Sequence, residues 1–184
     1  MRARRKLKRG FSLAEILVAI AIIAVVGAIL IPSIGGQLRS GDESRVQQDL
    51  TSLRTGAEQF LADVRRYPNS VGQLIVKPSV TESGLLGGVY TSAQTGRWRG
   101  PYVNKDSASA VRTGYDLTVS TTFGFVNFPG TTQKYLTIDI ASVDTGYARG
   151  VDRKMDDGVE SSGMVQYAVA ASTTTLKFYA LPVQ

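Results

Sequence analysis

"KRGFSLAEILVAIAIIAVVGAILIP", residues Lys8 to Pro32, governs how the rest of the chain is read. Between Leu13 and Ile31 lie nineteen residues that are apolar except for Glu15. An α-helix rises about 1.5 Å per residue, so this run spans about 28 Å, close to one hydrocarbon core. Arg2, Arg4, Arg5, Lys6, Lys8 and Arg9 stand directly before it. By the positive-inside rule they hold the N-terminus in the cytoplasm and send everything after Pro32 to the other side. A secretory signal would have a shorter apolar core of about 7–15 residues, followed by small residues at a cleavage site, and this run has neither feature. A plain membrane anchor matches the length but leaves Glu15 without a partner. An acid deep in a membrane helix costs about 2.5–3.5 kcal/mol, and somewhat less near the helix end where Glu15 sits.

The same six cations account for the whole formal charge of +6, and the remainder of the 184 residues carries 15 basic and 15 acidic side chains. The length suits one domain plus an appendage. A body of balanced charge lacks the basic face that nucleic acid requires, so no nucleic-acid partner is expected. A DNA-uptake role would rest only on Arg97, Arg99 and Arg112. There is no cysteine and no histidine. That removes disulfides, thiol nucleophiles, imidazole bases and nitrogen ligands for zinc. None of the motifs G-x-S-x-G, S-x-x-K, G-K-[ST] or H-E-x-x-H occurs, so the chain is not expected to be an enzyme and no catalytic residue is assigned.

Arg9-Gly10-Phe11-Ser12-Leu13-Ala14-Glu15, followed by the apolar run and Ile31-Pro32, resembles the class III signal of type IV prepilins and type II secretion pseudopilins. The resemblance covers about the first third of the chain. It implies cleavage after Gly10 by a membrane prepilin peptidase, N-methylation of the new Phe11 amine and a role for Glu15 in assembly. It also places Pro32 at the family's helix-kinking position. These implications give Glu15 a physical partner. Cleavage creates an α-amino group with a reference pKa of about 8. Buried in a filament, that cation needs an opposite charge, since an unpaired buried ion costs several kcal/mol. Glu15 supplies it to Phe11 of a neighbouring copy, and only in the correct stagger.

Beyond Pro32 the pattern becomes amphipathic. Val46, Leu50, Leu53, Ala57, Phe60, Leu61 and Val64 recur at helical spacing, which predicts a core-facing stripe that ends before Tyr67-Pro68. From Ser12 to Arg66 such an element would measure about 80 Å. Pro32, with Gly27, Gly35, Gly36 and Gly41 around it, predicts a kink or a locally unwound stretch.

Residues 67–112 read as an irregular connection. Within it, Arg66 to Leu74 ("RYPNSVGQL") and Arg97 to Val103 ("RWRGPYV") look like head segments of major pseudopilins. Read from the residues alone, Trp98, Pro101 and Tyr102 pin a loop to the core. After Val111 the period turns to two, in Tyr115, Leu117 and Val119 and again in Leu136, Ile138 and Ile140. Further β-rich runs are Phe123–Phe128, Met164–Ala170 and Thr174–Leu181, with turns expected at Pro129-Gly130, Thr145-Gly146 and Asp157-Gly158. The acidic stretch "VDRKMDDGVESSG" offers Asp152, Asp156, Asp157 and Glu160 as oxygen ligands. Hard cations prefer such donors, and the family resemblance implies calcium in a C-terminal loop. The spacing fits no calcium template, and a solvated acidic loop is the competing reading.

The expected fold is therefore α+β and pilin-like: a long N-terminal helix, half for membrane or filament and half amphipathic, packed on a C-terminal antiparallel sheet. The expected divisions are a removed basic leader over 1–10, a transmembrane and filament-core helix over 11–35, and its amphipathic half over 36–66. An irregular region over 67–112 and a β-sheet head over 113–184 complete the chain. The resemblance implies a subunit of a type II secretion pseudopilus, with a major or minor type IV pilin as the alternative. It further implies a homo-oligomeric filament with related minor subunits and an inner-membrane assembly platform driven by a cytoplasmic ATPase. The location would be the inner membrane, single-pass with the head outside the cytoplasm, and then a periplasmic or cell-surface filament. A membrane-anchored binding module that never polymerises is the rival from another class.

Overall fold

A run from Leu13 to Ile31 that is apolar but for Glu15, followed by an apolar stripe, favours a single long helix. In the computed structural model α1 runs without interruption over Leu13–Val64, 52 residues. The structure describes residues 11–104, 111–113, 117–168 and 173–184, the side chains of 32–35 and 111–112 excepted. The chain forms two compact units, 1–39 and 40–184. In the first unit, the apolar side chains of the helix are exposed, among them Leu13, Ile23 and Ile31. This helix is long and apolar enough to cross a membrane.

The locally unwound stretch expected around Pro32 is not seen, because helix continues through that position. A proline removes one hydrogen bond from a ladder that the turns on either side maintain cooperatively. The Pro32 side chain lies outside the described residues.

In the second unit, the expected stripe faces the core: Val46, Leu50, Leu53, Ala57, Phe60 and Val64 are fully buried. Leu61 departs from expectation and is only half-buried, at the edge of the stripe. The helix ends where Arg65 adopts a left-handed conformation, φ 61°, and donates its N–H to the Leu61 carbonyl at 2.9 Å.

The region read as irregular carries two short helices, α2 over Gly72–Ile75 and α3 over Ser92–Gly96. A capping box between Thr91 and Gln94 starts α3. Residues 98–103 are tied to the core as the sequence suggested. Trp98 Nε1 donates to the Gln73 carbonyl at 3.1 Å, and the Tyr102 hydroxyl donates to Asp63 Oδ2 at 3.0 Å. Phe60 meets Tyr90 and Tyr102 edge-on, with ring centroids 6.1 and 5.8 Å apart. Gly56 lets this segment approach α1, since a Cβ there would lie 2.5 Å from Val103 Cγ2.

Among the described residues six strands form one antiparallel sheet: β1 (Val111–Thr113), β2 (Leu117–Val119), β3 (Gly124–Asn127), β4 (Lys134–Asp144), β5 (Val165–Gln166) and β6 (Thr173–Val183). Their order is β1-β2-β4-β6-β5, with β3 also paired to β4. Leu136, Ile138 and Ile140 of β4 and Leu176, Phe178 and Ala180 of β6 join the α1 stripe in one core. The alternation behind the strand reading is real on the core face. Tyr115 lies outside the described residues, and the Met164–Ala170 run contributes only Val165–Gln166 to the sheet among those described.

The largest correction falls at Thr145-Gly146. These residues do not turn between strands but open a helix, α4, over Thr145–Met155. Asp144 caps it, accepting the Tyr147 N–H at 3.0 Å and so satisfying one of the donors that a helix start leaves free. Tyr147, Ala148, Val151 and Asp152 form its buried face. The head is thus a sheet interrupted by a helix, and the first half of the acidic stretch is helical.

Candidate functional site

Two groups of residues were singled out by sequence, and they lie in different units. Gly10, the expected cleavage position, lies outside the described residues. Phe11 is 82% exposed and precedes the helix in non-helical backbone. Glu15 is exposed and is not without a partner in the single chain. Its Oε2 accepts the Ser12 N–H at 3.1 Å and the Ser12 hydroxyl at 3.3 Å, while Ser12 Oγ accepts the Glu15 N–H at 3.2 Å. This is a capping box: each residue satisfies a free donor of the other at the start of α1. The S-x-x-E spacing of Ser12 and Glu15 is the sequence signature of this box. Glu15 therefore holds its own helix start before it has any second copy to meet.

The second group gathers at the end of α4. One ligand oxygen each from Asp152, Asp156 and Asp157 lies within 4.8 Å of the others. Glu160 does not join them. It sits at the exposed tip of the turn that Asp157 closes, with Asp157 Oδ1 accepting from Val159 N at 2.8 Å and Oδ2 from Ser162 Oγ at 2.5 Å. Asp156 Oδ2 accepts from the Met164 and Val165 amides, folding the loop back toward the sheet. Gly163, at φ 73°, is needed beside it because a Cβ would run into the Asp156 carboxylate. Asp157-Gly158 makes the turn expected from sequence, and Gly158 has a φ of 76°.

Asp152 differs from its neighbours. It is fully buried, and neither carboxylate oxygen meets a hydrogen-bond partner among the described residues. Burial, and after it the Asp157 and Asp156 charges, push its carboxyl up to about 6, with the nearby Gly158 amide opposing them. An anion in this position needs compensation. Three carboxylates, one of them buried with both oxygens uncommitted, fit a divalent cation such as calcium, with carbonyls and water completing its shell. The donor set excludes the soft metals that prefer thiolate or imidazole.

Sequence reasoning missed how α4 is attached to α1. Lys154 Nζ donates to the Ser40 carbonyl at 2.6 Å, to Ser40 Oγ at 2.8 Å and to Ser44 Oγ at 2.9 Å, with Glu43 Oε2 at 3.7 Å. Gln47 Nε2 donates to the Lys154 carbonyl at 3.3 Å. Gly150 leaves room for the Glu43 carboxylate, into which a Cβ would run. Only a serine pair one helical turn apart signalled this in sequence, and serines are too common to single out.

Residues 5–31 match the model of the prokaryotic N-terminal methylation motif. The chain is also similar to Type II secretion system core protein G of Klebsiella michiganensis, 34% identical over 80 residues, 42% of this chain and 56% of the relative. The core protein G of Aeromonas hydrophila is 24% identical over 105 residues, 54% of this chain and 73% of the relative. Type IV major fimbrial protein FimA of Dichelobacter nodosus is 30% identical over 88 residues, 48% of this chain and 53% of the relative. The chain spans about half the length of the first curated relatives it matches, between 49% and 56%. No solved structure matches it.

Proposed function

We propose that the chain is a structural subunit of a type II secretion pseudopilus. In this reading prepilin peptidase cleaves after Gly10, Phe11 is N-methylated, and mature copies polymerise through α1 to drive protein secretion. The observation that carries it is the coincidence, on one segment, of the methylation motif over residues 5–31 with a helix whose apolar side chains are exposed. Exposed apolar surface on this scale demands a second covering, first lipid and then other copies. Relatives named core protein G favour the pseudopilus, and the FimA similarity favours a type IV pilin as the second reading. The subunit starts in the inner membrane with its N-terminus cytoplasmic and its head outside. It leaves with related minor subunits through an assembly platform driven by a cytoplasmic ATPase. Apolar burial contributes little within lipid, so packing and charge pairing set the assembled stagger.

Mass spectrometry of the mature N-terminus tests processing: the reading expects Phe11 as the first residue, carrying one added methyl group. A mature chain beginning at Met1 would favour the plain anchor. Gly10→Ala is expected to leave an uncleaved precursor.

We also infer that Asp152, Asp156 and Asp157 hold calcium. The support is the buried Asp152 carboxylate with two unpartnered oxygens. The cation would supply charge compensation, while Asp156 and Asp157 keep the loop curled through their amide bonds. Calcium is expected to raise the melting temperature of the wild type and leave that of Asp152→Asn unchanged.

A further inference from the structure

The last turns of α4 face two neighbours at once. Asp152 points into the acidic cluster, while Gly150 and Lys154, two residues to either side, engage α1. Resting on the calcium reading above, we propose that occupancy of the acidic cluster governs, through α4, how firmly the body holds α1 at its Ser40–Gln47 turns.

Three carboxylates with oxygens this close repel one another, and the buried one makes no hydrogen bond among the described residues, with only the nearby Gly158 amide to offset its charge. Fraying of the C-terminal turn of α4 relieves this repulsion, since helix ends open before helix centres. That turn is fastened at its end by the Asp156 N–H, which donates to the Asp152 carbonyl at 2.7 Å. Once it opens, Lys154 loses its geometry toward Ser40 and Ser44, and Gln47 loses the Lys154 carbonyl. A bound cation removes the repulsion and with it the reason to fray. Ser40 begins the body unit, so these bonds are made at the first turn of α1 that belongs to it. The two sites are thereby linked, and linkage is reciprocal: loosening the α1 contacts must weaken cation binding by the same factor.

Hydrogen exchange on the full-length chain in detergent micelles, with calcium chloride or with EGTA, tests the link. Calcium is expected to slow exchange about tenfold both in residues 145–165 and in residues 40–47. At saturating calcium, Lys154→Gln should keep the first protection and lose the second, while amides of the sheet remain protected as proof of folding. Should that variant fail to fold, the pair Ser40→Ala and Ser44→Ala removes the same hydroxyl acceptors and is expected to give the same split. Protection confined to 145–165 in the wild type would overturn the coupling and leave the cation site standing. No calcium effect at either segment, together with no terbium luminescence from the cluster, would overturn both.

Discussion

Arg65 leaves α1 with a φ of 61°, a conformation in which glycine bears no steric cost and arginine does. Arg65→Gly is therefore expected to raise stability by about 1 kcal/mol in urea unfolding, since the arginine side chain is exposed. Gln73 is the opposite case. Its Oε1 accepts from Asn69 N and from the Tyr90 hydroxyl, both at 2.8 Å, and its Nε2 donates to Glu82 and to the Ser83 carbonyl. Gln73→Leu strands the Asn69 amide and leaves the Tyr90 hydroxyl only the Tyr67 carbonyl at 3.4 Å, and should cost about 2 kcal/mol by the same measurement. Asp152 gives a pH dependence with a definite sign. Its folded carboxyl binds a proton more tightly than an unfolded one, so the stability from protonation is complete below pH ~4, near the unfolded value. It is lost as pH rises through about 6. In chelator, the melting temperature should therefore fall from pH 4 to 7 by more in the wild type than in Asp152→Asn.

At the scale of elements, the contact between α1 and the 98–103 segment depends on a missing side chain. Gly56→Ala would place a Cβ 2.5 Å from Val103 Cγ2 and 3.3 Å from the Tyr102 carbonyl oxygen. The expected cost is about 1–3 kcal/mol, as for overpacking elsewhere. Val103→Ala should recover part of it in the double variant, because the clash is with that side chain. The same logic explains why α4 was hard to foresee. Thr145-Gly146 after a strand carries the composition of a turn, and only Asp144 accepting from Tyr147, with Tyr147, Ala148 and Val151 buried together, makes it a helix. A capping side chain and a buried face outweigh the local preference for a turn.

For the whole molecule, the two units present opposite surfaces. The body buries its apolar stripe, while the first unit exposes Phe11, Leu13, Ile23 and Ile31. Assembly is the physical resolution under the proposed function, and Glu15 is where it becomes testable. In the single chain its carboxylate closes a capping box on Ser12. A mature Phe11 amine from another copy would have to compete with that local bond. Glu15→Ala is expected to abolish incorporation into filaments while leaving membrane insertion intact, read by membrane fractionation and by filament yield. The capping loss itself should cost only about 1 kcal/mol of helix stability, too little to remove the protein from the membrane.

What the sequence determined by itself was whatever depends on local order. Nineteen residues, apolar but for one acid, are long and apolar enough to cross a membrane, and a stripe at helical spacing predicts its own buried face before any partner is known. Alternation did the same for the core faces of β4 and β6. Tertiary structure decided the rest: that Asp152 loses its water while Glu160 keeps it, that Lys154 reaches serines 110 and 114 residues away, and that glycines at 56, 150 and 163 make room for neighbours. Burial, and contact between residues distant in sequence, arise only when the elements pack, so no window along the chain contains them.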